Sequence, residues 1–435
     1  FKDIYRLLPG QYAQVKEGQL RVTQLEQFDD YAAQVAPLTN PEEIITHFNQ
    51  TAEEVTTSYL SMLPEDEPIH VMLLSGGVDS TLVACFLNGN QSHAPLHSIS
   101  YAMRDMPRFN AEIQYAQHAV DLLKSEHTYF DIYPQDYVPL LEEFTDLAAT
   151  PVQCEQDPCY LVFNKAQSAQ PRYRYLFAGS GADTLLGSEN SKRLLQAEFF
   201  KRFPGAKHWL QFSGQLVNGF LPNKAYGLKE IACLLNSLED PYSLHYPLHK
   251  NGAMSDLDMV THCFSKQTLR DLLEYRFNLL AQFTHTQSLI EQLHLASLIN
   301  FVYAGENSSQ EAFRAYGAET ILPFMDSRFF HLSLSIPPQK RYYSSGRAKW
   351  IPKQMLEMRL PTQTTGWPKL YGGFDLELFQ WMKDGVLRDL VQSITRPGFM
   401  SAAQFTQKLE NPDWYTWNLL TFDLFQKRVL GHVPW

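Results

Sequence analysis

The spacing of apolar and polar positions divides the chain into two stretches of different character. After Asn40-Pro41-Glu42-Glu43, apolar residues recur at Ile44, Ile45, Phe48, Ala52, Val55 and Tyr59, which predicts an amphipathic helix. Its start is marked by Asn40 as a capping residue, Pro41 at the first helical position and Glu43 at the third. Beyond Pro68, short apolar runs alternate with helical periods. Strands are predicted at 69–74, 98–103, 128–132 and 173–178, and helices at 79–87, 111–124 and 137–147. This alternation predicts a parallel sheet covered on both faces, whose ligands bind beyond the carboxyl ends of the strands. Two of those ends carry glycine turns, Ser75-Gly76-Gly77 and Gly179-Ser180-Gly181. Residues 1–35 read as short strands and turns around Pro9-Gly10. From about residue 190 the alternation stops, and 199–221 and 269–302 read as helices with aromatic and leucine residues at core spacing.

Composition narrows the classes. A chain of 435 residues suggests two or three domains at about 150 residues each. With 44% hydrophobic and 19% charged residues it is globular, not disordered. Thirty-six basic against 47 acidic residues leave a net charge of −11, which argues against a nucleic-acid partner. Cys85, Cys154, Cys159, Cys233 and Cys263 are odd in number and irregularly spaced, as expected of reduced thiols in a cytoplasmic protein. Cys154 and Cys159 lack a second pair at ligand spacing and read as incidental, not as half of a zinc site. No run of eighteen apolar residues and no leader pattern occur, so no membrane association is expected. The chain opens on Phe1 and reads as a cut piece of something longer.

The chemistry concentrates at the two glycine turns. In Leu73-Leu74-Ser75-Gly76-Gly77-Val78-Asp79-Ser80 a strand ends, two glycines allow close approach of a ligand, and a helix begins at once. Such a turn aims free N–H groups and a positive dipole end at an anion, most often phosphate. Asp79 would repel that anion unless it holds a magnesium ion bridging phosphate oxygens. The lysine-ended phosphate loop that transfers γ-phosphates does not occur. The second turn runs Ala178-Gly179-Ser180-Gly181-Ala182-Asp183-Thr184. It lacks the third glycine of a dinucleotide fingerprint, but it offers Asp183 as a second carboxylate for the same metal.

Ser75-Gly76-Gly77-Val78-Asp79-Ser80 resembles the signature of the PP-loop ATP pyrophosphatases, and the pair of turns resembles the synthetase domain of the asparagine synthetase family. Further matches follow in order: Ser98 to Met103, the Glu319 to Asp326 segment, Lys349-Trp-Ile-Pro-Lys353, and Trp367-Pro-Lys369 to Phe374. Leu7 to Tyr12 resembles the end of the glutaminase domain that precedes the synthetase. The resemblance implies an α/β fold with a parallel five-stranded, doubly wound sheet, adenine nucleotide α-hydrolase-like, and a helical C-terminal part. It implies three regions: 1–35 as the remnant of a glutaminase-like domain, 40–190 as the nucleotide-binding core, and 191–435 as the helical substrate side. It implies ATP and Mg2+ as cofactors and amide formation through an acyl-adenylate. Leu74, Ser75, Gly76, Gly77, Asp79, Ser80, Tyr101, Gly179 and Gly181 would then hold the nucleotide, with Leu74 and Tyr101 flanking the base, and Asp79 and Asp183 the metal. Lys369, Ser180 and Lys349 are the candidate catalytic residues.

Some positions depart from the family pattern. Ser180 stands where asparagine synthetases carry Glu, Thr184 replaces a second Glu, Thr320 and Ile321 occupy the arginine-containing segment, and Pro352 is expected to break the helix after Lys349. No cysteine precedes Cys85, so this chain alone is not expected to hydrolyse glutamine. The carboxylate substrate is a small molecule or a peptide and the acceptor ammonia or another amine. Intramolecular closure, as in β-lactam synthetases and lasso-peptide cyclases, is the alternative that Ser180 favours. A tRNA-modifying enzyme and a non-catalytic nucleotide-binding relative are further alternatives. A separate glutaminase subunit and a homodimer stay open as partners.

Overall fold

A computed structural model describes residues 7, 11–24, 36–64, 70–72, 74–89, 96–107, 109–163, 174–187, 191–220, 231–232, 235, 265–281, 310, 313–344, 346–360 and 374–431. An exposed antiparallel hairpin, β1 (Gln11–Lys16) and β2 (Gln19–Gln24), comes first. The central element is a parallel sheet of five strands: β3 (His70–Met72), β4 (His97–Met103), β5 (Glu126–Ile132), β6 (Tyr175–Phe177) and β7 (Glu319–Ile321). Their order is β5-β4-β3-β6-β7, in register His97↔Glu126, His70↔His97, His70↔Leu176 and Tyr175↔Glu319. The chain steps outward from β3 to β5 and then returns to lay β6 on the other side of β3. A crevice therefore opens between β3 and β6 at their carboxyl ends, where the direction of winding reverses.

Helix α1 (Pro41–Met62) starts at Asn40, whose side chain accepts from the Glu42 N–H at 2.9 Å, with Pro41 first in the helix. The sheet connections carry α2 (Val78–Asn88), α3 (Phe109–Leu123) and α4 (Tyr137–Ala148), and a short α5 (Ala182–Leu186) follows β6. Adjacent residues of a strand point to opposite faces. Leu176 enters a core with Ile99, Phe163 and Phe313, whereas Phe177 enters another with Leu74, Leu82 and Leu186, so both faces of the sheet are packed.

After α5 the described structure is nearly all helical: α6 (Ser191–Phe200), α7 (Ala206–Phe220), α8 (Lys266–Ala281), α9 (Ser327–Leu334), α10 (Pro338–Tyr342), α11 (Trp350–Glu357), α12 (Asp375–Asp384), α13 (Arg388–Gln392), α14 (Ala402–Glu410) and α15 (Trp414–Arg428). The single helix predicted over 199–221 is two, because Pro204 supplies no N–H and Gly205 turns left-handed at φ 79°. Of the helix predicted over 269–302, the described part is α8, and 282–302 lie outside the described residues. Strand β7 carried no sequence signal, since three residues are too few to show a period.

Pro352 does not break α11. It falls in the first turn, where backbone N–H groups have no intrahelical partner and a proline removes nothing. Together α1, α2, α9 and α11 form one core with Phe177 of the sheet, which brings the segment around residue 350 against the first glycine turn.

Candidate functional site

Both glycine turns lie at the reversal of winding. At the first, the Ser75 N–H donates to Ser80 Oγ at 3.3 Å and the Gly77 N–H to Ser75 Oγ at 3.2 Å, which folds the turn into a tight loop. Gly76 has φ 71°, and a β-carbon there would come within 2.2 Å of the Tyr115 carbonyl oxygen, so the loop lies flush against α3. Gly77 is exposed and begins α2 with no side-chain cap, so the helix N-terminus carries no capping side chain.

The second turn packs onto the first. Ser180 is half-buried between Gly179 and Gly181, and Gly181 at φ 92° caps α5. Asp79 in the first turn of α2 and Asp183 in the first turn of α5 thereby face one another. The Lys349 ammonium lies between them. It donates to Asp183 Oδ1 at 2.6 Å and forms a second ion pair with Asp79 Oδ2. Lys349 is 7% exposed and takes a left-handed backbone, φ 54°, immediately before α11. Burial alone would lower its ammonium, but the Asp79 and Asp183 carboxylates outweigh burial and hold it above the ordinary lysine range. Such a backbone is uncommon for a residue with a β-carbon, and Glu17, Asp105, Lys124 and Ala149 share it.

Two carboxylates converging on one cation position suit a hard metal ion such as magnesium. Among the described residues no group of three or more His, Cys, Asp or Glu is placed to hold a metal.

Beside the first turn lies a cavity of about 200 Å³, lined by Ser75, Ser100, Tyr101, Phe109, Glu112, Ile113, Tyr129 and Gln156 among others. It has room for a nucleobase. Tyr101 forms one wall, and its hydroxyl donates to Gln156 Oε1 at 3.4 Å. Leu74 is not among the residues that line this space. Its side chain is fully buried in the core, and its carbonyl accepts from Ser100 Oγ at 3.0 Å, so it can meet a ligand only through its backbone. Glu112, Tyr129 and Gln156 were missed from the sequence, because they come from α3, β5 and a turn that carry no motif. Lys369 and the glycine-flanked loop around it lie outside the described residues.

The sheet, the two packed turns and the lysine set between paired carboxylates all fall within one recognised unit. The model of the asparagine synthase family matches residues 52–427. No curated protein matches the chain. Among the described residues no helix is long and apolar enough to cross a membrane.

Proposed function

This chain belongs to the asparagine synthase family, and on that premise we propose that it joins a carboxylate to an amine by way of an acyl-adenylate, as an AMP-forming carbon–nitrogen ligase. The observation that carries this reading is the meeting of Asp79 and Asp183 on one cation position beside a base-sized cavity at the reversal of winding. The base of ATP enters that cavity along Tyr101, and the polyphosphate runs over Ser75, Gly76 and Gly77 to the open N-terminus of α2. Gly179 and Gly181 let the second turn close on the same phosphates. Asp79 and Asp183 would hold magnesium, which when bound would neutralise phosphate charge.

A carboxylate oxygen of the substrate attacks the α-phosphorus, the bond to the bridging oxygen breaks, and pyrophosphate leaves. The amine nitrogen then attacks the acyl carbon, the bond to the AMP oxygen breaks, AMP leaves with the bonding pair, and the proton lost from the amine passes to solvent. Both steps gather negative charge in a site where a fixed cation lowers the barrier. Lys349 supplies one such cation at the phosphate end. Lys369, which the family resemblance marks as catalytic, supplies the other. Ser180 cannot act as a carboxylate base, and this favours a second reading in which the amine is larger than ammonia or belongs to the substrate itself.

The test is pyrophosphate release from ATP and magnesium with aspartate plus ammonium. Aspartate-dependent release with asparagine as product supports the first reading. Tight nucleotide binding without release moves the search to peptide and amino-acid-derived carboxylates. Absence of nucleotide binding overturns both.

A further inference from the structure

The position of Lys349 bears on which form of the metal the site accepts. We propose that the Lys349 ammonium is a latch on Asp79 and Asp183, closing the pair to a free divalent cation and yielding it only to a cation that arrives on a polyphosphate. The inference rests on the reading of this pair as the metal-holding carboxylates.

The latch follows from three observations. The ammonium contacts Asp79 Oδ2 and Asp183 Oδ1 at once, so a cation that bridges the two carboxylates through these oxygens must displace it. Lys349 is 7% exposed, so a displaced ammonium has little water to retreat into. Its backbone is anchored as well: Trp350, Ile351 and Pro352 are buried directly after it, and the Lys349 N–H donates to the Tyr342 carbonyl at 3.3 Å. Only the side chain can swing.

A free divalent cation would take the carboxylates and leave a buried ammonium beside a doubly charged ion. An uncompensated buried charge of this kind costs more than the new contacts return. A cation bound to a polyphosphate brings its own anionic oxygens. Lys349 can pass from carboxylate to phosphate without losing a partner, through a charge-assisted bond of the same kind. The lysine thus holds the two glycine turns together before the nucleotide arrives and grips the phosphates afterwards. On this account the metal–nucleotide complex, not the free metal, is what binds.

The experiment measures protein-bound Mn2+ by electron paramagnetic resonance on the full chain. It is run with and without α,β-methylene-ATP, which cannot be cleaved at the α–β position. Mn2+ alone is expected to bind Lys349→Met at least about tenfold more tightly than the wild type, where it displaces no charge. In melting experiments, Mn2+ alone should then raise the melting temperature of Lys349→Met and leave that of the wild type unchanged. With the analogue present, Mn2+ should bind the wild type.

Equal affinity of wild type and variant for free Mn2+ overturns the latch and leaves the metal pair standing. Failure of either protein to take up Mn2+ even with the analogue removes the metal pair, and the latch with it. Should Lys349→Met not fold, the wild type decides alone: free Mn2+ binding as tightly as Mn2+ with the analogue overturns the proposal.

Discussion

Gly179 lies so close to Ser80 that a β-carbon on it would stand 2.6 Å from the Ser80 backbone nitrogen and 2.7 Å from the Asp79 carbonyl carbon. The two glycine turns are in main-chain contact, and this contact sets Asp79 and Asp183 face to face. Gly179→Ala should therefore destabilise the protein by about 3 kcal/mol, the upper part of the range for overpacking, because main-chain atoms cannot step aside. Gly77→Ala is the control. Its β-carbon would meet only the Ser75 hydroxyl at 3.1 Å, which can turn aside, and the cost should be about 1 kcal/mol, the value of a poorer helix cap. Urea unfolding of the two variants checks the difference.

The two carboxylates are not equivalent. The Asp79 side chain is 23% exposed and that of Asp183 41%, so water screens the second more. Asp79→Asn should cost about 2 kcal/mol of stability, the value of a hydrogen bond to a charged group. Asp183→Asn should cost less than about 1 kcal/mol, as a more exposed pair does. Both should abolish pyrophosphate release, and turnover at the wild-type rate in either would remove the shared-metal reading.

The cavity beside Ser75 is open to a filling substitution. Ile113→Trp projects from α3 into that space and should weaken ATP binding by about tenfold or more while leaving the circular dichroism spectrum unchanged. An unaltered affinity, measured by calorimetry, would place the base elsewhere.

His127 gives the stability a pH dependence of definite sign. Burial pushes its imidazole down to about 4, and its Nδ1 lies 2.7 Å from Ser98 Oγ. The unfolded ring binds a proton below about 6.5 and the folded ring only below about 4, so in that window the unfolded state holds more protons. This contribution is complete above the unfolded value and is lost as pH falls towards about 4. It amounts to about 2 kcal/mol once screening of a half-buried ring is allowed for. His127→Gln, which can keep the bond to Ser98, should flatten that part of the pH–stability curve relative to the wild type. Parallel curves for the two proteins would show that the ring titrates normally.

What the sequence determined by itself was local. Asn40-Pro41 fixed the start of α1 because a cap acts within one turn, and the periods of two and 3.6 located β4, β5, α2, α3 and α4 to within a few residues. Ser75 to Ser80 and Gly179 to Asp183 marked two strand ends whose glycines permit close backbone approach, and the two turns do pack on one another. The tertiary structure decided what those ends meet. Lys349 is 166 residues from Asp183 and 270 from Asp79, and no period or spacing encodes that meeting. Packing of α11 onto the shared core sets it. Leu74 likewise sits in the same motif as Ser75, yet packing just beyond β3 buries its side chain in the core. Pro352 reads as a helix breaker only until the helix is seen to begin at Trp350. The cavity walls from α3, β5 and the turn at Gln156 exist because three separate segments converge, and only the fold brings them together.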